Sequence, residues 1–123
     1  MAEIKPIEFT DSFGDTFPLW LNKGEYSTNN NLYMGSVCNL DGYYEDYADV
    51  TTNICYLPPN MACIDTTYCK DLYDTLIARG DATLMGSERS GFNTYPLVHF
   101  TNAFLDSLPT CDKLSEHLES LEV

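Results

Sequence analysis

The stretch Ser90-Gly91-Phe92-Asn93-Thr94-Tyr95-Pro96-Leu97-Val98-His99-Phe100 constrains this chain more than any other. A glycine opens it, two aromatics bracket a proline's approach, and alternating apolar residues close it, which is the pattern of a bend running into a strand. Gly91 tolerates a left-handed backbone that a side chain resists. Pro96 lacks an N–H and so belongs on an edge strand or at a strand's first residue. Phe92, Tyr95, Leu97 and Phe100 are its expected buried anchors, with Ser90, Asn93 and Thr94 satisfying the turn.

Such a strand needs partners, and the chain supplies them. Ile4 to Phe9 and Phe17 to Leu21 flank a turn at Asp11 to Asp15 and read as a hairpin, with Pro6 and Pro18 marking edges. Asn22 to Asn31 is polar and reads as a loop. Leu32 to Cys38 is a strand, Asn39 to Gly42 a turn with an Asp-Gly pair, and Tyr43 to Asn53 the antiparallel partner. Pro58-Pro59 marks a crossing before the short run Met61 to Ile64. Thr66 or Thr67 can cap a helix in which Cys69, Leu72, Tyr73, Leu76 and Ile77 recur at helical spacing up to Gly80. Ala82 to Arg89, with Gly86 as a bulge, is a strand that pairs with Tyr95 to Phe100. Thr101 caps a short helix through Leu108, and Pro109 interrupts it. From Thr110 onward Leu114, Leu118 and Leu121 form one stripe of a helix that either docks on the sheet or frays. The expectation is a single α+β domain over residues 1–123. It has an antiparallel sheet of about five to seven strands, a main packed helix from Thr67 to Gly80, and a helical C-terminal tail, peripheral over 109–123.

Charge narrows the functional classes. Nineteen Asp and Glu against six Lys and Arg leave −13 on 123 residues, and the acids are scattered rather than pooled in a tail. A surface of such negative potential repels nucleic acid phosphates and anionic membranes, so neither is an expected partner. Nothing approaches the ~20 apolar residues of a membrane span, no leading signal segment is seen, and the expected location is the cytoplasm. The five cysteines have irregular spacing without a CxxC, which fits buried free thiols rather than a disulfide framework or a zinc site.

Catalytic signatures are not evident. His99 stands in an apolar strand, where a core or turn role is expected, and His117 lies on an acidic helix face. Neither has the Cys or Ser spacing of a nucleophilic signature, and no phosphate-cradling glycine loop occurs. Asp46, Asp49 and Asp65 could gather around a hard cation, but without the spacing of a calcium loop, so no metal, no cofactor and no enzymatic activity are expected.

The most distinctive cluster is Asp41-Gly42-Tyr43-Tyr44-Glu45-Asp46-Tyr47-Ala48-Asp49, which interleaves four carboxylates with three tyrosines. On a regular strand, Glu45, Tyr47 and Asp49 share one face and Tyr44, Asp46 and Ala48 the other, with same-face carboxylates at roughly 6–7 Å intervals. That is close to the phosphate spacing along a nucleic-acid strand. The plain structural reading is an edge strand whose charges prevent aggregation.

Several segments together resemble a family of small uncharacterised proteins carried by conjugative and other mobile elements of gut Firmicutes. They are Leu19-Trp20-Leu21, the Tyr26 to Tyr33 region, Tyr47-Ala48-Asp49-Val50-Thr51-Thr52-Asn53, Ile64-Asp65-Thr66-Thr67, and Gly86 followed by Ser90-Gly91-Phe92-Asn93-Thr94-Tyr95-Pro96. The resemblance covers Leu19 to Phe100, with the tail beyond it additional, and implies a mobile-element setting but no activity. With the charge, it leads to the expectation of a nucleic-acid mimic that binds the basic surface of a host protein such as a CRISPR effector or restriction enzyme. The contact residues expected are Asp41, Tyr43, Tyr44, Glu45, Asp46, Tyr47, Asp49, Phe92 and Tyr95. An adaptor in conjugation machinery and a small enzyme with an unfamiliar site stand as alternatives.

Overall fold

The computed structural model describes residues 4–40 and 42–121. Among them the chain forms β1 (Ile7–Thr10), β2 (Thr16–Glu25), β3 (Leu32–Leu40), β4 (Tyr43–Asp49), β5 (Thr51–Thr52), β6 (Met61–Ile64), α1 (Thr66–Arg79), β7 (Ala82–Ser90), β8 (Asn93–Phe100), α2 (Asn102–Ser107) and α3 (Cys111–Leu121). The strands make two antiparallel four-stranded sheets, β1-β2-β3-β4 and β5-β6-β8-β7. The protein is therefore α+β, with α1 packed on the sheets and a helical C-terminus.

One expected sheet is two because the run from Tyr43 to Asn53 is divided at Val50. The Val50 N–H bonds the Met34 carbonyl in the first sheet at 2.9 Å, and its own carbonyl accepts from the Asp65 N–H beyond β6. A strand that changes sheets at such a corner serves both. Val50 itself is fully buried. The expected loop from Asn22 is shorter too: the β3 ladder continues through Lys23↔Met34, Gly24↔Tyr33 and Glu25↔Leu32, so cross-strand pairing overrides the low strand propensity of Asn, Lys and Gly.

Strand alternation divides β2 between two cores. Leu19 and Leu21 point inward with Phe9, Met34, Cys38, Val98 and Phe100, against Cys69, Leu72 and Leu76 of α1. Trp20 points outward, where Leu114 and Leu118 of α3 cover it together with Val37 and Tyr44. The tail helix thus docks on the outer face of the first sheet, while Leu121, the third leucine of its stripe, stays half exposed. A parallel bridge between Lys23 and Thr110 and a bond from the Lys23 N–H to the Pro109 carbonyl at 2.9 Å fix its start.

The helix caps partly follow the expected residues. Thr101 caps α2, its side chain accepting from the Phe104 N–H, whereas α1 starts one residue earlier than the two threonines allow: Asp65 takes the N-cap position and makes no side-chain cap bond. Gly80 ends α1 in the left-handed conformation at φ 80°. Thr101→Ala should lower stability by about 1 kcal/mol, read as a shifted midpoint in urea at unchanged slope.

The opening stretch forms a two-residue hairpin turn in which Ser90 pairs with Asn93. Gly91 has φ 62° and Phe92 does not share a positive φ, the arrangement of a type II′ turn. A register shift between Leu84 and Gly86 marks the expected bulge. β6 pairs only with Leu97 to His99, so Asn93 to Pro96 runs past it and has β7 alone as partner. Pro96 accordingly sits where one edge is open, although β8 is an inner strand farther along. Two expectations are corrected in this stretch. Phe92 is not an anchor but 100% exposed, because the second turn residue lies beyond both sheets; His99, between the buried Val98 and Phe100, is exposed because strand alternation turns it away from the core. Phe92→Ser is expected to leave the melting temperature unchanged, and a drop of several degrees in a thermal scan would contradict the exposure of the ring.

Candidate functional site: an acidic groove between β4 and α3

The docking of α3 leaves a groove of about 470 Å³ along β4, with Val37, Leu114 and Leu118 as its apolar floor and Glu45, Asp46 and Glu119 on its walls. β4 is the outermost strand of its sheet, so its far edge is unpaired and its charges also guard that edge.

A register shift between Ser36 and Val37 decides which carboxylates face α3. Val37 lies opposite Asp46, Ser36 opposite Ala48 and Gly35 opposite Asp49, so Tyr47 is the extra residue of a bulge. Tyr44 stacks edge to face on Trp20 with ring centroids 5.4 Å apart, which puts Tyr44, Asp46 and Asp49 on the α3 side. Glu45 pairs with Cys38, whose side chain is in the inner core, and Tyr47 packs edge to face on Phe9 at 5.8 Å. The expected grouping of Glu45, Tyr47 and Asp49 is therefore corrected: the bulge shifts the alternation by one and moves Asp49 to the other face.

Asp49 is held by the Tyr33 hydroxyl, which donates to its Oδ1 at 2.6 Å. Burial first, and the Asp49 carboxylate second, push the Tyr33 hydroxyl well above an ordinary phenol's range, so it remains a proton donor. Gly35 makes the contact possible. A Cβ there would lie 2.6 Å from the Tyr33 hydroxyl and 2.9 Å from Asn22 Oδ1. That Asn22 oxygen accepts from the Cys111 thiol at 3.2 Å, linking α3 to β2. Burial first, and then the charges of Asp112, Asp46 and Asp49, push the Cys111 thiol above its ordinary range.

Lys113 stands on α3, but the ion-paired cations lie elsewhere. The ion pairs seen among the described residues, Lys70–Asp74 at 2.6 Å and Arg79–Asp81 at 2.7 Å, belong to α1 and the turn after it, on the opposite face of the first sheet. Arg89 donates to the Gly91 carbonyl at the arm's turn.

Of the expected contact residues, Tyr44, Glu45 and Asp46 line the groove, while Asp49 shares the α3 face of β4 without lining it. Tyr43 is exposed at the head of β4, Tyr47 is partly buried against the inner core, and Asp41 lies outside the described residues. Phe92 and Tyr95 belong to the arm of the second sheet and do not line the groove. Tyr33, Asn22, Cys111 and Glu119 are additions that follow only from where α3 docks. Asp46, Asp49 and Asp65 do not converge on a cation site: among the described residues no group of three His, Cys, Asp or Glu is placed to hold a metal ion. No helix is long and apolar enough to cross a membrane among them.

The thiols differ in access. Cys38, Cys63 and Cys69 are buried, Cys55 is intermediate and Cys111 exposed. Burial pushes the Cys63 thiol up to about 11 and Cys69 up to about 12. A thiol reagent at neutral pH should modify Cys111 first and leave Cys38, Cys63 and Cys69 unmodified until the protein unfolds, as peptide mapping of a time course would show.

The chain belongs to the family defined by the domain of unknown function DUF4313, which it matches over residues 20–120. The match runs through α2 and α3, so both helices are part of the family's domain rather than an addition after Phe100. Neither a curated protein nor a solved structure matches the chain.

Proposed function

We propose that this member of the DUF4313 family is a non-catalytic binding protein that imitates nucleic acid and occupies a basic site on a nucleic-acid-binding protein. The observation that carries the reading is the gathering of Glu45, Asp46 and Glu119 around one groove, with the ion-paired cations on the other side of the sheet. Against a total of −13, these carboxylates project a field that a basic cleft satisfies. Because the bulge breaks the two-residue repeat, β4 alone does not form a phosphate-like ladder; the imitation is shared between β4 and α3. The mobile-element setting implied by the resemblance suggests a host defence protein as target, a CRISPR effector or restriction enzyme. The test is capture of partners on the immobilised protein, followed by elution with duplex DNA or with guide RNA. Partners that basic nucleic-acid sites define should elute with either competitor.

A second reading, an adaptor in conjugation machinery, draws on three exposed apolar side chains, Leu84 and Met85 on β7 and Phe92 at the hairpin tip. Partners lost on Phe92→Ser but kept when the groove is neutralised would favour it.

A further inference from the structure

Away from the acidic groove, a cavity of about 590 Å³ opens between the end of β2, the turn at residues 29–31 and the loop at residues 56–60. We propose that this cavity binds a free α-amino acid, its carboxylate on Lys23 and its α-ammonium on Glu25. The volume lies within the range of small-molecule sites.

The walls are built rather than incidental. Asn31 is 6% exposed and satisfied on every side it offers. Its amide nitrogen donates to Asn53 Oδ1 at 2.9 Å and to the Cys55 carbonyl at 2.6 Å, and its oxygen accepts from the Leu57 N–H at 3.0 Å. That network ties the loop to the turn and holds the opening in shape without a ligand. Both non-glycine residues with left-handed backbone among the described residues, Asn30 at φ 58° and Asn60 at φ 69°, line the same cavity. Asn is the side chain that tolerates this conformation most readily, and the Asn60 amide anchors its loop by donating to the Phe100 carbonyl at 3.3 Å and to Asn102 Oδ1 at 2.5 Å.

The ligand class follows from charge. Lys23 and Glu25 are two apart on β2, hence on one face and roughly 6–7 Å apart along the strand, and no ion pair joins them. The Lys23 ammonium spends one N–H on the Leu105 carbonyl at 2.6 Å, which leaves two for a carboxylate. A simple anion would meet the repulsion of a chain at −13, and a simple cation would meet Lys23, whereas a zwitterion has no net charge and satisfies both residues. Leu32, Leu57 and Pro58 offer an apolar wall for its side chain.

The experiment is an NMR titration of the ¹⁵N-labelled full chain with each of the standard L-amino acids. At least one should give saturable shifts at the backbone amides of Gly24, Asn30, Leu57 and Asn60. Its N-acetylated and its carboxamide forms should each bind about tenfold more weakly or worse, as should the Glu25→Gln and Lys23→Met variants to the free amino acid. Glu25 is exposed and makes no structural bond, so Glu25→Gln keeps the fold even if Lys23→Met loosens α2. Absence of saturable shifts with every amino acid, equal binding of the blocked forms, or shifts confined to the β4–α3 groove would overturn the assignment. Lys23 and Glu25 do not line the acidic groove, so their variants leave it intact and its own test stands separately.

Discussion

Cutting the chain after Thr110 should lower the unfolding free energy by about 3–6 kcal/mol, the burial of two leucine side chains, in a domain whose total is about 5–15 kcal/mol. Leu114 and Leu118 are 2% and 5% exposed, and they cover Trp20, which is itself only 8% exposed. Read from the sequence, the leucine stripe is the least connected part of the core pattern and the tail looks removable. Its contact with the single tryptophan reverses that weighting. Trp20 is also the reporter: the truncated protein should show red-shifted native emission and a lower urea midpoint than the full chain. Leu118→Ala, which keeps the helix, should cost about 2–5 kcal/mol and move the same signal in the same direction. Unchanged emission and midpoint in both would show that α3 does not cover the sheet.

Neutralising the groove with Glu45→Gln, Asp46→Asn and Glu119→Gln together is expected to slow association with a captured basic partner about tenfold or more at low salt. The melting temperature should stay the same or rise slightly, because like charges are being removed from one surface. Asp49 is left out of the triple variant because the Tyr33 hydroxyl bonds it, so its loss would disturb the sheet as well as the charge. Equal association rates for the variant and the parent, measured by surface binding at low salt, would detach the function from this groove.

Much of the fold is legible in the residues. The helical spacing of Leu72 and Leu76, the left-handed Gly80, the Thr101 cap and the bulge beside Gly86 are local features found where local chemistry puts them, whereas Cys69 holds its buried place at a kink with φ −125° and ψ 31°. What is not legible depends on contacts distant in sequence. The division at Val50 arises because its N–H and C=O meet different strands, and nothing in a β-rich run announces that. The bulge at Tyr47 is likewise invisible in an alternating pattern, yet it decides that Asp49 joins Asp46 on the α3 face. The acidic cluster could be found by composition alone, whereas Glu119, Asn22 and Tyr33 enter only through the docking of a helix that starts some sixty residues farther on. Phe92 misleads for the opposite reason. An aromatic beside a turn reads as an anchor, but a two-residue turn at the end of an arm has no core beneath it.

The most direct measurement of the central claim is competition between this protein and duplex or guide nucleic acid for a captured partner, repeated across a range of ionic strength. Charge complementarity between solvated surfaces is screened over about 8 Å at physiological salt, so imitation predicts mutually exclusive binding and an affinity that falls steeply as salt rises. A partner that holds the protein and nucleic acid at the same time, with little dependence on salt, would contradict it.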